Sequence, residues 1–261
     1  MNGEIDFSKK NVSISVVTYN SGRYIGGLLT SLIEHTKGVD YHIYVVDNGS
    51  TDSTLDIINQ IESKQITVIK NDKNVGYGSG HNKAIECVHS QYHLIINPDV
   101  TIKDDIVSRL VEYLEANEDI GLVTPKILHP DGRLQVLPKK DPKFIYLVAR
   151  RIRLPFLRKY RHEYEMLDKD ADSAFDIEFC SGAFMFIRMS LLKKTGGFDE
   201  RYFMYFEDAD LSRGIRQYAR AQYNPGFVAY HEWERGGNKQ IKLFLIQVGS
   251  MIKYLNKWKR R

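Results

Sequence analysis

Two aspartates in this chain follow short apolar runs, where a side chain could reach a ligand. Residues 94–96 lead into Asn97-Pro98-Asp99, and residues 41–46 lead into Asp47. A buried strand has this pattern when its C-terminal end opens into a crevice, which is where open α/β sheets bind ligands. Asp99 could therefore hold a metal ion, or it could merely cap the next helix. Asp47 could contact a nucleobase or ribose, or it could simply form a turn with an N-cap.

A second group of polar residues lies nearer the C-terminus. Three acids occur in Glu207-Asp208-Ala209-Asp210, directly after the aromatic run 202–206. The helix dipole accounts for one or two acids in a first helical turn, but burial beside aromatic rings favours a working carboxylate with a perturbed pKa. A lone histidine is usually structural. His231, however, ends an apolar run as Asp47 and Asp99 do, and this shared placement favours a functional role.

The run Asn74-Val75-Gly76-Tyr77-Gly78-Ser79-Gly80 has glycine at every second position from Gly76 onward. Glycine lets a backbone approach a ligand closely, so the run could line a binding site. It does not match the dinucleotide-binding fingerprint, because no glycine stands three residues after Gly78.

Apolar patterning predicts the elements that would position these residues. Near-continuous β-branched runs predict buried strands, and runs with helical spacing lie between them. The short connections in this alternation predict an α/β fold with a doubly wound, mostly parallel central sheet flanked by helices in a single domain. The predicted strands are 12–18, 41–46, 66–70, 93–97, 121–124, 177–188 and 221–230; the predicted helices are 24–34, 55–61, 105–114 and 207–218, with a glycine-rich loop at 74–82 and a turn at 129–133.

The bulk composition is that of a globular protein, with 43% apolar and 27% charged residues. Cys87 and Cys180 stand far apart, which indicates a reduced, intracellular protein and offers no zinc-binding spacing. Residues 1–11 lack the apolar core of a signal peptide, and no run approaches the ~20 apolar residues of a membrane span.

The net charge of +4 is unevenly distributed. Residues 139–161 carry nine basic residues against Asp141, and residues 238–261 carry seven and no acid, which leaves −11 for the rest of the chain. No groove-reading motif indicates nucleic acid, so we predict an anionic membrane surface as partner. Residues 241–255 have the apolar spacing of one helix face, which could pack on the domain or lie in the membrane interface. Five arginines of the first segment could bind lipid or the pyrophosphate of a lipid-linked acceptor: Arg150, Arg151, Arg153, Arg158 and Arg161.

Six segments, taken in order, resemble the family 2 glycosyltransferases and, within that family, the rhamnosyltransferase-like branch. The resemblance extends over residues 12–235 and implies a GT-A fold in a domain of residues 11–235. Residues 11–100 would bind the nucleotide sugar and residues 101–235 the acceptor, while residues 236–261 would form a basic amphipathic helix. The six segments are 15–20 (SVVTYN), 46–52 (VDNGSTD), 74–82 (NVGYGSGHN), Asn97-Pro98-Asp99, Ser181-Gly182-Ala183 and 196–210 (GGFDERYFMYFEDAD).

The resemblance also implies roles for individual residues. Asp208 would be the catalytic base, and Asp99 and His231 would hold a divalent metal, Mn²⁺ or Mg²⁺. Asp99 matches the second acid of the family's metal-binding Asp-x-Asp, whereas Asn97 replaces the first, a departure typical of this branch. The acceptor or sugar pocket would include Ser181, Gly182 and Glu207, and the donor nucleotide would contact Thr18, Tyr19, Asn20, Asp47, Asn74, Gly76, Asn82 and Asn97.

The implied activity is transfer of a sugar from a nucleotide-sugar donor with inversion at the anomeric carbon. From the branch we predict that L-rhamnose moves from dTDP-β-L-rhamnose to a lipid-linked bacterial cell-wall or surface polysaccharide. A UDP-hexose or UDP-N-acetylhexosamine donor is the alternative within the same class, and a non-catalytic nucleotide-sugar-binding subunit is the alternative in another. The protein would be cytoplasmic and peripheral on the inner face of the plasma membrane, and it could form a homodimer.

Overall fold

The computed structural model describes residues 11–135, 138–152, 154–232 and 240–259, so residues 236–239 of the predicted C-terminal helix lie outside the described part. The described strands are β1 Asn11–Thr18, β2 Asp40–Asp47, β3 Ile66–Lys70, β4 Tyr92–Ile96, β5 Val100–Thr101, β6 Ile120–Leu128, β7 Phe175–Asp176, β8 Phe184–Arg188 and β9 Arg220–His231. The described helices are α1 Gly22–His35, α2 Thr54–Asn59, α3 Tyr77–Cys87, α4 Ile106–Ala116, α5 Phe144–Arg151, α6 Arg158–Tyr164, α7 Met189–Thr195, α8 Glu207–Ile215 and α9 Gln240–Trp258.

The first four strands form the parallel part of the sheet. β1 pairs in parallel with β2 on one side and with β4 on the other, and β3 extends the sheet beyond β2. Because these strands run in the same direction, their carboxyl ends meet at one edge. Thr18 and Asp47 are register partners at that edge.

Helices cover both faces of this sheet. In β4, Leu94 and Ile96 pack in the apolar cluster that includes α1 and α4, whereas Ile95 packs in the cluster that includes α3, α7 and α8. This alternation follows from the two-residue period of a strand, and it explains why β4 is apolar throughout. The predicted α/β fold class is confirmed.

The second half of the sheet is mixed rather than parallel. β8 lies between β4 and β6 and runs antiparallel to both, while β9 is parallel to β6 and antiparallel to β5 and β7. The strand order is β3-β2-β1-β4-β8-β6-β9-β5. The sheet is therefore parallel among the first four strands and between β6 and β9, and antiparallel in its other pairings. An apolar run predicts a buried strand but carries no signal for its direction.

The glycine-rich segment is largely helical, which corrects the predicted loop at 74–82. A Cβ at Gly78 would lie 2.8 Å from Cβ of Phe198, and a Cβ at Gly80 would lie 2.8 Å from Cγ2 of Val17. These glycines let α3 approach β1 and the segment around Phe198 closely. Their close neighbours are protein atoms, not a ligand.

The predicted strand 177–188 is shorter than expected, because only Phe184–Arg188 forms β8. Residues before it turn toward α8, where the Cys180 N–H donates to Ser212 Oγ over 3.1 Å. The aperiodic segment that follows β6 contains α5, a 3₁₀ turn at Pro155–Leu157 and α6. No helix in the described part of the chain is both long enough and apolar enough to cross a membrane.

Candidate active site

The ends of β1 and β2 form one edge of the candidate site. Thr18 Oγ1 donates a hydrogen bond to Asp47 Oδ1 over 3.0 Å, and the Ser50 N–H donates to Asp47 Oδ2 over 3.0 Å. Asp47 is only 1% exposed, so its carboxylate holds the two strand-end loops together. Each carboxylate oxygen has a further lone pair, which leaves capacity to accept a hydrogen bond from a nucleoside.

Tyr19 and Asn20 follow β1 at the same edge. Tyr19 presents an exposed aromatic ring. Asn20 has a φ of +55°, a conformation that asparagine tolerates better than most residues, and its Oδ1 accepts from the Thr51 N–H over 2.8 Å. Asn20 therefore ties the two loops together while the Tyr19 ring stays accessible for stacking.

Asn74 and Gly76 support this edge from behind. Asn74 Oδ1 accepts from the Gly76 N–H over 2.9 Å, and Asn48 Nδ2 donates to the Gly76 carbonyl over 3.0 Å. Gly76 has a φ of +99°, and a Cβ there would lie 2.5 Å from the carbonyl oxygen of Phe203. The close approach at Gly76 is thus to the backbone of residue 203, and its contact with the nucleotide stays a prediction.

Asn82 has a structural role that its sequence context did not indicate. Its Nδ2 donates to the Phe198 carbonyl over 2.9 Å and to Glu200 Oε1 over 3.0 Å, and its Oδ1 accepts from the Phe198 N–H over 2.9 Å. The buried amide is therefore committed to the turn before α8. Its predicted contact with the donor nucleotide stays a prediction.

Asp99 and His231 lie together, as predicted. β5 pairs with β9 in a register that places Val100 opposite His231, and Asp99 Oδ1 lies 3.2 Å from His231 Nε2. Both of these atoms are buried, and neither has a hydrogen-bond partner in the described part of the chain. Two orphaned, converging lone-pair donors of this kind fit a divalent cation. The Asn97 N–H donates to the Ala183 carbonyl over 3.1 Å, which brings this turn beside segment 181–183.

Gln135 sets the tautomer of His231, a role that no pattern in the sequence predicted. Gln135 Nε2 donates to the His231 carbonyl over 2.7 Å, and a carbonyl can only accept. The amide oxygen must therefore face His231 Nδ1, 3.0 Å away, so Nδ1 carries the hydrogen in the neutral ring. His231 Nε2 is left with its lone pair toward Asp99 Oδ1. An outer partner that sets a histidine tautomer in this way is usual at metal sites.

Among the described residues, no cluster of three or more His, Cys, Asp or Glu side chains could hold a metal ion unaided. A site with two protein ligands suits Mn²⁺ or Mg²⁺ only if phosphate oxygens and water complete the shell. Asp99 and His231 would therefore bind the cation together with a diphosphate.

We expect Gln135→Met to weaken Mn²⁺ binding about 10- to 100-fold, because His231 Nδ1 loses the acceptor that fixes its tautomer. Manganese electron paramagnetic resonance in the presence of a nucleoside diphosphate measures the affinity without turnover. Gln222→Met is the matched control, since Gln222 is also a buried glutamine and lies in β9 at the end away from His231. Equal Mn²⁺ affinity in both variants would contradict the role of Gln135.

Asp208 is held by backbone donors at the start of α8. The Gly182 N–H donates to Asp208 Oδ2 over 3.1 Å, and the Ala209 N–H donates to Oδ1 over 2.9 Å. Burial raises the pKa of Asp208, while the Gly182 N–H and the positive charge of Lys139 oppose that rise. Burial, and then the charge of Asp208, raise the pKa of Glu207 well above its usual range. Burial therefore disfavours the ionised form of both acids, and it disfavours that of Glu207 more strongly because Glu207 also faces the charge of Asp208.

Backbone strain precedes this pair. Tyr205 and Phe206 have φ values of +69° and +71°, a left-handed conformation that bulky residues rarely adopt and that costs about 1–3 kcal/mol each. Ser212 Oγ donates to the Asp208 carbonyl over 2.7 Å, which ties the first turn of α8 to the next. The strained turn directs Glu207 and Asp208 toward segment 180–183 rather than along the preceding chain.

Tyr77 joins the two sides of the site and was absent from the predicted residues. Its hydroxyl donates to the Gly182 carbonyl over 2.6 Å. Burial raises the Tyr77 pKa well above its usual range, and the negative charges of Glu207, Asp208 and Asp99 add to that rise. All three carboxyl groups therefore lie near one phenol. A Cβ at Gly182 would come within 2.9 Å of the Tyr77 oxygen, so only glycine leaves room for this ring.

Helix α9 packs on α8 through its last turns. Lys257 Nζ donates to Asp210 Oδ2 over 2.6 Å, and Trp258 Nε1 donates to Asp210 Oδ1 over 2.8 Å. Tyr254 and Trp258 are buried in one apolar cluster with Phe206. Asp210 is therefore a structural acid, and α9 supports the helix that carries Asp208.

Sequence comparisons bear on this arrangement. A profile of the family described as "Glycosyl transferase family 2" matches residues 13–196. The N-acetylglucosaminyl-diphospho-decaprenol L-rhamnosyltransferase of Mycobacterium tuberculosis is 28% identical over 215 residues, which cover 76% of this chain and 68% of that protein. Rhamnosyltransferase WbbL of Escherichia coli is 26% identical over 262 residues, which cover 94% of this chain and 92% of that protein.

Solved structures share the fold. The S. aureus TarS 1–349 crystal structure is similar with a TM-score of 0.62 and 19% identity, covering 94% of this chain and 66% of that chain. The mannosyltransferase PcManGT from Pyrobaculum calidifontis, solved in complex with GDP-Man and Mn²⁺, is similar with a TM-score of 0.66 and 18% identity, covering 100% of this chain and 68% of that one. This chain thus spans about two thirds of the length of either structure, and at these identities the similarity concerns the fold.

Proposed function

The chain belongs to glycosyl transferase family 2, and from this we propose that it transfers a sugar from a nucleotide-sugar donor to an acceptor hydroxyl, with inversion at the anomeric carbon. The observation that carries the proposal is the half-buried Asp208 carboxylate, oriented by the Gly182 and Ala209 N–H groups. Asp208 accepts the hydroxyl proton while the acceptor oxygen attacks the anomeric carbon and the diphosphate leaves. A carboxylate whose pKa is raised by burial is a stronger base than an exposed one.

The division of charge between the two neighbouring acids favours inversion. A retaining double displacement needs a second, ionised carboxylate as nucleophile, by analogy with glycosidases. Glu207 is the nearest candidate, but burial and the charge of Asp208 raise its pKa well above the usual range, which opposes its ionisation. Glu207 instead donates a hydrogen bond to a sugar hydroxyl, through the buried Oε2 that has no partner in the described residues.

The strand-end edge of Thr18, Tyr19 and Asp47 receives the nucleoside. Asp99 and His231 hold a divalent cation at the diphosphate, and the imidazole favours Mn²⁺ over Mg²⁺. When bound, this cation neutralises the negative charge that builds on the leaving diphosphate. The Mn²⁺ and GDP-Man in the PcManGT structure support this part of the proposal.

The donor we propose is dTDP-β-L-rhamnose, and the acceptor is a lipid-linked glycan at the inner face of the bacterial plasma membrane. Support comes from the two relatives named as rhamnosyltransferases, one of which is named for a diphospho-decaprenol substrate. A UDP-hexose donor is the second candidate, because a poly(ribitol-phosphate) β-glucosyltransferase is 34% identical over 146 residues.

We expect release of nucleoside diphosphate from dTDP-β-L-rhamnose with Mn²⁺, and much slower release from UDP-glucose and UDP-N-acetylglucosamine. Slow donor hydrolysis needs no acceptor, so the panel can be run on the protein alone. With an acceptor, proton NMR of the product should show an α-rhamnosyl linkage. Faster turnover of a UDP-sugar would replace the rhamnose assignment, and no hydrolysis of any donor would favour a non-catalytic subunit.

A further inference from the structure

Five large apolar side chains in and just after α5 are exposed to solvent. Phe144 and Phe156 are 61% and 69% exposed. Soluble proteins rarely expose apolar side chains in such density unless the surface binds something. We call this set the α5 surface; its members are Phe144, Ile145, Ile152, Leu154 and Phe156.

The orientation of α5 explains why these side chains face outward. Tyr146 and Ala149 are buried, and the Tyr146 ring stacks on Tyr164 with centroids 5.4 Å apart. The Tyr146 hydroxyl also donates to Glu163 Oε1 over 2.7 Å. Tyr146 and Ala149 are three residues apart and share the buried face of α5, whereas Phe144 and Ile145 lie in its first turn and Ile152 follows its last residue.

Positive charge predominates around the α5 surface, although Glu163 and Asp168 line one pocket with Lys140, Arg158 and Lys159. Lys143, Arg158 and Lys159 are exposed. Asp141 is the one acid between residues 139 and 161, and it pairs with Arg216 over 2.8 Å, away from these cations. The next acids along the chain are engaged too, since Glu163 accepts from Tyr146 and Lys140. Arg153 and the side chain of Arg151 lie outside the described residues.

Helix α9, the other candidate for membrane contact, uses its charges within the protein. Lys257 binds Asp199 and Asp210, and Lys253 donates to the Arg201 carbonyl. Ile241 and Leu245 remain exposed at its first turns. Lys239, Arg260 and Arg261 lie outside the described residues.

We propose that the α5 surface docks on an anionic lipid bilayer, with its apolar side chains at the acyl boundary and its lysines and arginine on lipid phosphates. Apolar residues edged by Lys and Arg are the composition of helices that lie in a membrane interface. The inference rests on the proposed function, which gives the enzyme a lipid-linked acceptor. Lys139 precedes α5 in the chain, and its positive charge opposes the rise in the pKa of Asp208.

Flotation of the full chain with phosphatidylcholine vesicles, with and without phosphatidylglycerol, tests this docking. We expect binding only to vesicles that contain phosphatidylglycerol, and weaker binding at high salt. Phe144→Ser with Phe156→Ser should reduce binding on the order of tenfold or more. The matched control, Ile241→Ser with Leu245→Ser, removes two equally exposed apolar side chains from α9 and should bind as the wild type does.

Equal binding by the α5 variant, or loss of binding only in the α9 variant, would overturn the proposal. So would light scattering that shows a vesicle-independent dimer which the α5 substitutions dissociate. Hydrolysis of dTDP-β-L-rhamnose separates this inference from the proposed function, because the α5 variant should hydrolyse the free donor at the wild-type rate. Flotation without hydrolysis of any nucleotide sugar would support the membrane-binding role of the α5 surface and contradict the proposed enzymatic function.

Discussion

Replacing Asp208 with asparagine is expected to lower sugar transfer by about 10²–10⁴-fold, the contribution of a positioned general base. Asparagine keeps the shape of the side chain and can still accept the Gly182 N–H, but it cannot take a proton from the acceptor. Donor binding should persist, because Thr18 and Asp47 lie at the other edge of the site. Initial rates at saturating donor, together with the dissociation constant for the nucleoside diphosphate, measure the two effects separately.

Glu207→Gln is the informative control for this substitution. If Glu207 is protonated, an amide replaces a carboxylic acid at the same place and retains a hydrogen-bond donor, so the loss of rate should be much smaller. The wild-type rate should also fall as the pH drops through the raised pKa of Asp208, because the protonated acid is no longer a base. A Glu207→Gln variant that is as inactive as Asp208→Asn would contradict the assignment of Asp208, and not Glu207, as the base.

The second large effect expected is a loss of stability in mild acid, caused by two buried histidines. His93 Nδ1 lies 2.6 Å from Ser13 Oγ, and its Nε2 lies 2.8 Å from Ser15 Oγ, which in turn lies 2.7 Å from His81 Nδ1. Burial lowers the pKa of His93 to about 3 and lowers that of His81 well below its usual value. The folded protein therefore keeps both rings neutral in a continuous chain of hydrogen bonds across β1 and β4.

The sign of the pH dependence follows from these lowered pKa values. Below the unfolded pKa of about 6.5 the unfolded chain binds protons that the folded chain refuses, so stability present at neutral pH is lost as the pH falls. For His93 alone the loss between pH 7 and pH 5 is about 2 kcal/mol, and His81 adds to it in the same direction.

Urea unfolding measured between pH 7 and pH 5 checks this expectation. His93→Gln should flatten the decline by about 2 kcal/mol, whatever its effect on stability at neutral pH, because glutamine does not titrate. His89→Gln, in an exposed side chain of the same region, is the control and should leave the decline unchanged. A His93→Gln variant that loses stability as steeply as the wild type would show that His93 does not cause the loss of stability between pH 7 and pH 5.

Much of the fold and part of the candidate site could be predicted from the sequence, and the physical reasons differ between elements. β1 and β2 were visible because a strand buried on both faces must be apolar along its length. Asp99 and His231 were visible because each ends such a run. The direction of β8 left no trace in its composition, since an apolar strand packs equally well either way.

The residues that were missed act through contacts with distant segments. Gln135 lies outside any periodic element, and its meaning arises only when β9 brings His231 beside it. Tyr77 lies in the segment predicted as a glycine-rich loop, because glycine lets a backbone approach a ligand closely. Those glycines in fact allow the start of α3 to pack against Phe203, Phe198 and β1. Close packing between segments far apart in the chain cannot be inferred from local composition.

The pairing of β5 with β9 has a consequence for the order in which the protein matures. On a ribosome the donor-binding half can form its local strand–helix–strand units early, since their contacts are close in sequence. Asp99 emerges with that half, but His231 is synthesised much later and reaches it only when β9 joins the sheet. A nascent chain could therefore hold a nucleoside long before it could hold the cation. If Asp99 and His231 hold the cation as we propose, competence for catalysis depends on β9 having joined the sheet.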